Sequence, residues 1–408
     1  MMPLSVSDLS SEVIASAFNL CEGGLASKHG IIEEFLDLLY ESSEGNDYIH
    51  YYPRTLILQL TSGCNLRCKH CFFCDKPQKY EQADNLSESQ IFEQIRYFVE
   101  EVNILRCIIT GGEIFTSPFL LKVLEYLKEH SVSVKLITNG TLISAENIER
   151  LGKLLNPKYD LIQISLDGAT QSTNDEIRGK GVYQKVINSV TGLAKSGCNV
   201  EIGFTVNSQN VRELADMYLF CQKSGVKSLN IGRFTKIYDN QDYLVPSLAD
   251  IFINVAKLAG IYQNDIRINV AALRTPDFLQ HSEGKRLLDA KLEKVGKVDV
   301  TNLHCKPHHE QVALFANGDV SLCYDCTIKD VIIGNIKNNS FAEIWNNRFE
   351  YPIFQNRPLE NHTCNKCEYV VFCKAGCPYS AIVNSGSTLR SGFACQHLEL
   401  LKEQENNV

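Results

Sequence analysis

The sequence carries no excess of positive charge: 40 Lys and Arg stand against 48 Asp and Glu, a formal net charge of −8. General binders of nucleic acid or of anionic membranes present basic surfaces, so neither partner is expected. Continuous apolar runs of bilayer-crossing length are also lacking. The first residues, MMPLSVSDLSSEV, lack a basic region followed by an apolar one, so no export signal is read and a cytoplasmic location is expected. Nor is the chain poor in apolar residues. With 44% hydrophobic and 22% charged it is not a disordered polymer, and its core does not need cross-links. Its 408 residues suggest two or three domains.

What the sequence has in quantity is cysteine, 16 in all, and a reducing compartment does not favour structural disulfides. Clustered thiols there point to metal or redox chemistry. One group is Cys64, Cys68, Cys71 and Cys74. A second runs from Cys305 to Cys395 and holds eight. Cys21, Cys107, Cys198 and Cys221 stand apart and read as small buried hydrophobes.

Residues 1–52 read as an acidic helical segment without chemistry. From Thr55 to about residue 235, six strand-like apolar runs alternate with helical stripes. The fold class expected is α/β: a partial (β/α)6 TIM-like barrel over 53–235, with an open doubly wound sheet as the alternative. Ser87–Gln90 reads as a capping box, and Ser117-Pro118 as a helix start. A helical bridge over 236–303 and a small Cys-rich domain over 304–408 complete the chain. A small domain of that composition is held by metal more than by core.

Polar signatures close each strand: TSGCNLRCKHC, Thr110-Gly111-Gly112-Glu113, Thr138-Asn139-Gly140, Ser165-Leu166-Asp167-Gly168, Thr205-Val206-Asn207 and Gly232-Arg233. Parallel α/β folds gather their sites at this edge, so the six imply one pocket. Cys64, Cys68 and Cys71 have C-x3-C-x2-C spacing. Three soft thiolates on one loop can hold three irons of a cubane and leave the fourth open. With Cys74 added, the same loop reads instead as a closed four-thiolate site.

This spacing after the first strand, with Gly-Gly-Glu after the second, resembles the radical S-adenosylmethionine (SAM) superfamily. The resemblance spans about residues 55–235. It implies a [4Fe–4S] cluster on Cys64, Cys68 and Cys71, whose open iron chelates the amino and carboxylate groups of SAM. Gly111, Gly112 and Glu113 would meet the methionyl amino group, Ser165 and Asp167 the ribose hydroxyls, and Arg178 the carboxylate. Reductive cleavage of SAM would then give a 5′-deoxyadenosyl radical that abstracts hydrogen. His70 fills a position that is usually aromatic in the family.

The C-terminal spacings, Cys305-x12-Gly318-x4-Cys323 and Cys364-x2-Cys367-x5-Cys373-x3-Cys377 followed by Cys395, resemble the SPASM domain of peptide- and protein-modifying radical SAM enzymes. It implies two auxiliary [4Fe–4S] clusters. Cys305, Cys323 and Cys377 would hold the nearer, with Cys326 as fourth ligand and His308, His309, water or substrate as its substitutes. Cys364, Cys367, Cys373 and Cys395 would hold the outer. Paired CxxC zinc sites remain the alternative that spacing alone leaves open. Asp325 is a candidate catalytic proton acceptor, and Tyr324 lies beside it.

The expected partners are a ribosomally made precursor peptide and an electron donor such as flavodoxin or ferredoxin. The expected reaction is hydrogen abstraction followed by an intramolecular cross-link: a cyclophane, ether or thioether. The alternatives are a sulfatase-maturating or small-molecule radical SAM dehydrogenase, and a non-enzymatic zinc-binding protein. About 50 residues precede the barrel, short for a complete leader-recognition module.

Overall fold

The computed structural model describes residues 6–26, 52–71, 85–236, 239–295, 300, 303, 310–324, 331–392 and 395. The acidic stretch 30–47, Cys74, Cys305, His308, His309, Asp325 and Cys326 lie outside the described residues.

The barrel half of the chain alternates as the apolar pattern predicts. Its elements are α1 (Ser11–Ala26), β1 (Thr55–Thr61), α2 (Glu88–Arg96), β2 (Arg106–Gly111), α3 (Leu120–Glu129), β3 (Ser133–Thr138) and α4 (Ala145–Leu154). β4 (Leu161–Ser165), α5 (Gln171–Arg178), α6 (Val182–Lys195), β5 (Val200–Val206), α7 (Leu214–Ser224) and β6 (Ser228–Arg233) follow. The stretch expected to be a helical bridge holds α8 (Leu248–Ile261), β7 (Arg267–Val270), α9 (Thr275–Phe278) and α10 (Ser282–Val295). β7 is thus a seventh strand, four residues long with Arg267 and Asn269 polar, too short to stand out by periodicity. Beyond it come β8 (Gln311–Leu314), β9 (Asp319–Ser321), β10 (Ile332–Asn335), α11 (Phe341–Asn346), α12 (Val370–Cys373) and α13 (Pro378–Ser385).

Among the described residues the strands form one sheet in the order β10-β9-β8-β1-β2-β3-β4-β5-β6-β7. From β8 to β7 every pairing is parallel, and β9 and β10 add an antiparallel edge. The register lines up the strand ends: Thr138 faces Ile164, Ser165 faces Gly203, and Val206 faces Arg233. All seven residues of β1 are buried, as a strand flanked on both edges and covered by helices requires.

Helix starts follow local chemistry. Ser87 and Gln90 form the capping box read from the sequence, and Ser144 with Asn147 forms another. The start expected at Pro118, with Ser117 as its cap, falls two residues later, at Leu120. The Ser117 N–H instead closes a 3-10 turn onto the Ile114 carbonyl at 3.1 Å. α3 then buries Leu120, Val123, Leu124 and Leu127 against the sheet, each contributing about 1.5–3 kcal/mol relative to exposure. By length and hydropathy alone the stretch Asn240–Ile261 is long and apolar enough to cross a bilayer, contrary to the expectation from apolar runs. In the fold its helix α8 packs on α1 and α7. Ile251, Phe252, Val255 and Leu258 are buried there, which accounts for its hydropathy as core.

Candidate active site

The loop after β1 is stitched to the turn after β2 by backbone hydrogen bonds. Gly112 N–H donates to the Thr61 carbonyl and Glu113 N–H to the Gly63 carbonyl, both at 2.8 Å. The approach is so close that a Cβ on Gly112 would lie 2.2 Å from the Gly63 oxygen, so only glycine fits. This turn therefore sets the height at which Cys64, Cys68 and Cys71 leave the sheet. The far end of the loop is tied to α5, where Lys69 N–H donates to the Ile177 carbonyl at 3.0 Å.

Cys64 Sγ accepts from Leu66 N–H at 3.4 Å and from Asn139 Nδ2 at 3.9 Å. Burial pushes the Cys68 thiol up to about 11, against the pull of Arg178. The Cys64 thiol is also raised, first by burial. Such thiols stay protonated until a metal supplies the compensating charge.

Glu113 is 1% exposed and does not line the cavity. Its carboxylate accepts from Thr138 Oγ1 and Asn139 N–H, both at 2.6 Å, and from Phe115 N–H at 3.1 Å. It braces the β3 end against the β2 turn. Burial raises its carboxyl pKa, and these hydrogen bonds oppose that rise.

Ser165 lines the cavity, whereas Asp167 is fully buried behind it. Asp167 Oδ1 accepts from Thr205 N–H at 2.7 Å. Its Oδ2 lies 2.6 Å from Arg178 Nη2 and 3.2 Å from His70 Nε2. The carboxylate that the sequence pointed at a ribose is thus occupied in aiming Arg178 and His70. Burial opposes the Arg178 charge, but Asp167, with the Cys68 and Cys71 thiols, outweighs it and raises the guanidinium pKa. Burial lowers the His70 pKa, so the ring is neutral at neutral pH.

All six strand-end signatures border one cavity of about 600 Å³. Cys64, Cys68, Cys71, Gly111, Gly112, Ser165 and Arg178 line it, and so do Arg233, Arg274, Tyr324, Cys377 and Tyr379. Tyr324 Oη donates to the Gly111 carbonyl at 3.0 Å, tying the C-terminal cysteine strand to the glycine turn. Arg274, Asp277 and Tyr379 were not singled out in the sequence. Arg274 immediately precedes α9, Asp277 lies on it and Tyr379 lies on α13, and their spacing carries no signature.

The C-terminal cysteines separate into two places. The thiol of Cys373 is pushed up to about 12 by burial, then by Cys367, Cys364 and Cys395, so these four sulfurs share one neighbourhood. Cys377 instead faces the cavity, next to Arg274. Between Cys373 and Cys377 the backbone turns through three positive φ values, Lys374 at 48°, Ala375 at 59° and Gly376 at 79°. That left-handed run sends two cysteines four positions apart to different places. His362 Nδ1 accepts from Cys364 N–H at 3.1 Å and braces the turn that carries Cys364.

Among the described residues no three His, Cys, Asp or Glu gather closely enough to hold a single metal ion. A tetrahedral zinc site would draw its thiolates to about 3.8 Å from one another. A cubane takes one thiolate per iron and suits a wider set. Soft donors without a carboxylate among them, and a buried cation beside the loop, fit an iron–sulfur cluster and an anionic-headed cofactor.

A parallel α/β sheet with a three-cysteine loop at its carboxyl edge, extended by a second cysteine cluster, defines an iron–sulfur enzyme. Residues 58–221 match the model of the radical SAM superfamily, and residues 305–368 match that of an iron–sulfur cluster-binding domain, SPASM. The chain is similar to the AdoMet-dependent heme synthase of Methanosarcina barkeri, 25% identical over 84% of this chain and 96% of that protein. It is 22% identical to the PqqA peptide cyclase of Gluconobacter oxydans over 87% of this chain and 95% of that one. Among solved structures, Streptococcus suis SuiB bound to precursor peptide SuiA superposes with a TM-score of 0.65 at 17% identity, covering 89% of this chain and 80% of SuiB. The chain belongs to the radical SAM superfamily and carries a SPASM domain. It is an enzyme whose cofactors are a [4Fe–4S] cluster with SAM and auxiliary iron–sulfur clusters.

Proposed function

We propose that this enzyme modifies a ribosomally made precursor peptide, closing an intramolecular cross-link after hydrogen abstraction. The observation that carries the reading is one cavity lined both by Cys64, Cys68 and Cys71 and by Tyr324 and Cys377. With a cluster held by each cysteine group, as proposed here, a substrate in that cavity would lie between two iron sites. The likeness to a peptide cyclase and to the fold of a peptide-bound enzyme supports it.

In this reading Cys64, Cys68 and Cys71 hold the SAM-binding cluster. Cys305, Cys323, Cys326 and Cys377 hold the nearer auxiliary one, and Cys364, Cys367, Cys373 and Cys395 the outer one. When bound, the first cluster and SAM supply a hydrogen-abstracting radical after one-electron reduction. Gly111, Gly112 and Ser165 frame the SAM pocket. Arg178, aimed by Asp167, receives the carboxylate as a planar fork. Glu113 keeps the glycine turn and the β3 end in fixed relation.

Ring closure removes two hydrogens from the substrate: one as an atom, the other as a proton and an electron. Cys305, Cys323, Cys326 and Cys377 would hold the auxiliary cluster that supplies an acceptor for that electron, and Asp325, between Cys323 and Cys326, would accept the proton. An electron donor such as flavodoxin or ferredoxin and a cytoplasmic setting belong to the same proposal.

A second reading, a small-molecule substrate, is favoured by the relative named as a heme synthase. The test is anaerobic reconstitution, reduction and incubation with SAM and a candidate precursor peptide. The expected result is 5′-deoxyadenosine together with a peptide lighter by two hydrogens, both absent when Cys64, Cys68 and Cys71 are replaced by alanine. Protein that makes no 5′-deoxyadenosine refutes the enzyme reading. An unchanged peptide beside abundant 5′-deoxyadenosine removes that peptide as substrate.

A further inference from the structure

The Gly111–Gly112 peptide unit is gripped at both ends. Its N–H, on Gly112, donates to the Thr61 carbonyl at 2.8 Å, and its oxygen, on Gly111, accepts from Tyr324 Oη at 3.0 Å. Glycine stands on either side of this unit, so no side chain restrains its tilt. Gly111 also lies past the last residue that β2 pairs with β3. The first grip comes from β1, within the barrel. The second comes from the C-terminal region, where Tyr324 follows Cys323 shortly after β9.

The tyrosine ring has a seat of its own. Ile57, Ala313 and Phe315 form a small core apart from the main one, and Ile108, Tyr324 and Ile332 pack on it. Ile57 is in register with Ala313 on one side and with Ile108 on the other, so these side chains share one face of the sheet. Thr110, two residues along β2 from Ile108 and so on that same face, lines the cavity. Phe315 lies nearly parallel to Tyr324, with ring centroids 6.3 Å apart and 12° between the planes. The hydroxyl is therefore presented from a packed surface on the cavity side of the sheet. Tyr324, Gly111 and Gly112 border the cavity together with Cys64, Cys68 and Cys71.

A carbonyl oxygen has two lone pairs, so with Tyr324 on one the other can serve a donor in the cavity. A carbonyl fixed beforehand loses less freedom on binding than one that is ordered by its ligand. We propose that Tyr324 is a positioning residue for the cofactor: its hydroxyl holds the Gly111 carbonyl at the tilt from which that oxygen accepts from the methionyl amino group. The SAM pocket is thus completed by a residue from outside the barrel. This rests on the reading above in which Gly111 frames the SAM pocket.

The test compares anaerobic, reconstituted wild type with Tyr324→Phe, which keeps a ring against Phe315 and removes only the hydroxyl. Iron and sulfide per chain are expected to be unchanged. Calorimetry should show SAM bound about three- to tenfold more weakly, as the loss of one hydrogen bond's worth of ordering implies. Pulsed EPR on the reduced protein then separates the two ends of the cofactor head, with SAM isotopically labelled either at the amino nitrogen or at the carboxylate carbon. In Tyr324→Phe the nitrogen coupling should shift or broaden, while the carboxylate coupling, governed by Arg178, stays as in wild type. Phe315→Leu leaves the hydroxyl but removes the ring it stacks on. It should broaden the same nitrogen coupling, and it carries the test if Tyr324→Phe does not fold.

Unchanged SAM affinity or an unchanged nitrogen coupling in Tyr324→Phe overturns the proposal. A shift of both couplings together also overturns it, because a general loosening of the site would do that. Loss of iron or sulfide in the same variant reassigns the hydroxyl to holding Cys323 and overturns it as well. A wild type that binds SAM but shows no amino-nitrogen coupling removes the reading on which the inference rests, whereas a normal wild-type coupling that Tyr324→Phe leaves alone removes only the role of Tyr324.

Discussion

Asp167 separates two accounts of the SAM pocket, one in which it touches the ribose and one in which it acts through Arg178. Asp167→Asn keeps the side-chain volume and the acceptor for Thr205 N–H, but removes the charge 2.6 Å from Arg178. The Arg178 side chain is only 8% exposed. Removing one partner of a buried pair costs about 3–5 kcal/mol, and the amide oxygen that remains should hold the loss near the lower end. In a chain of this length that lowers the thermal midpoint by on the order of 5 °C. The sharper measurement is calorimetric SAM affinity of the anaerobic, reconstituted protein in a double-mutant cycle with Arg178→Gln. Each single change is expected to weaken SAM by roughly tenfold. Because both act through one guanidinium, the double variant should be no weaker than the worse single, a coupling of about 1.4 kcal/mol. Losses that multiply to about a hundredfold would show that Asp167 meets SAM independently, and the positioning argument would fail.

Three further outcomes follow from the geometry. Gly112→Ala places a methyl 2.2 Å from the Gly63 oxygen and must displace the cysteine loop. Iron per chain should fall by roughly a third as one of three clusters is lost, and full iron content would contradict the stitching described. In the apoprotein the Cys68 and Cys373 thiols titrate at about 11 and 12, against an ordinary 9.0. The unfolded chain therefore loses these protons first, so apoprotein stability should be level below pH 9 and fall from there toward pH 11–12. Midpoints measured across that range should fall more steeply in apoprotein than in loaded protein, whose ligand thiolates are already deprotonated while the buried Cys21, Cys107 and Cys221 thiols stay raised in both; parallel curves would refute this. Lys374→Gly relieves a positive φ of 48° at an exposed residue and should raise stability by about 0.5–1 kcal/mol. A lower midpoint would mean that the Lys374 side chain holds the turn.

The chemistry of the barrel edge was legible because strand ends in a parallel sheet converge, and short polar signatures mark each end. Cys64, Cys68, Cys71, Gly111, Gly112, Ser165 and Arg178 all reach the cavity from that logic. The order along the chain did not reveal which polar groups face the ligand and which face each other. Ser165 and Asp167 are two apart and read alike, yet one borders the cavity and the other pairs behind it, because the chain leaves the strand between them. Arg274 and Asp277 were invisible for a different reason. They lie after a four-residue strand that periodicity cannot separate from a loop, and their closeness to Arg233 is purely tertiary. The segregation of Cys373 from Cys377 was implied by family resemblance. Its physical cause, a run of left-handed residues with only one glycine, leaves little trace in composition.

The joint between the two cysteine regions is the least obvious part of the design, and Gln59 exposes it. This glutamine is 2% exposed in β1, where its neighbours Leu58 and Leu60 are core. Its Oε1 accepts from the Ala316 N–H at 3.0 Å, just where the chain leaves β8. β8 itself is registered on β1, with Leu58 opposite Leu314, and the strand that follows leads to Cys323 and Tyr324. One buried side chain thus helps fix the height of the C-terminal cysteines relative to the loop that begins at Ser62. Gln59→Leu keeps the volume but leaves the Ala316 N–H buried without its partner, a cost of about 1–3 kcal/mol. Gln59→Glu keeps an acceptor. Pulsed EPR on the reduced, reconstituted protein reports the spacing between clusters. The leucine variant should broaden that distance distribution and lower the thermal midpoint, while SAM affinity stays within about twofold because the Cys64–Cys71 loop and Arg178 are untouched. The glutamate variant should keep the wild-type distribution. If leucine leaves both spacing and stability unchanged, the register of β8 on β1 alone holds the two regions together, and Gln59 has no part in aligning them.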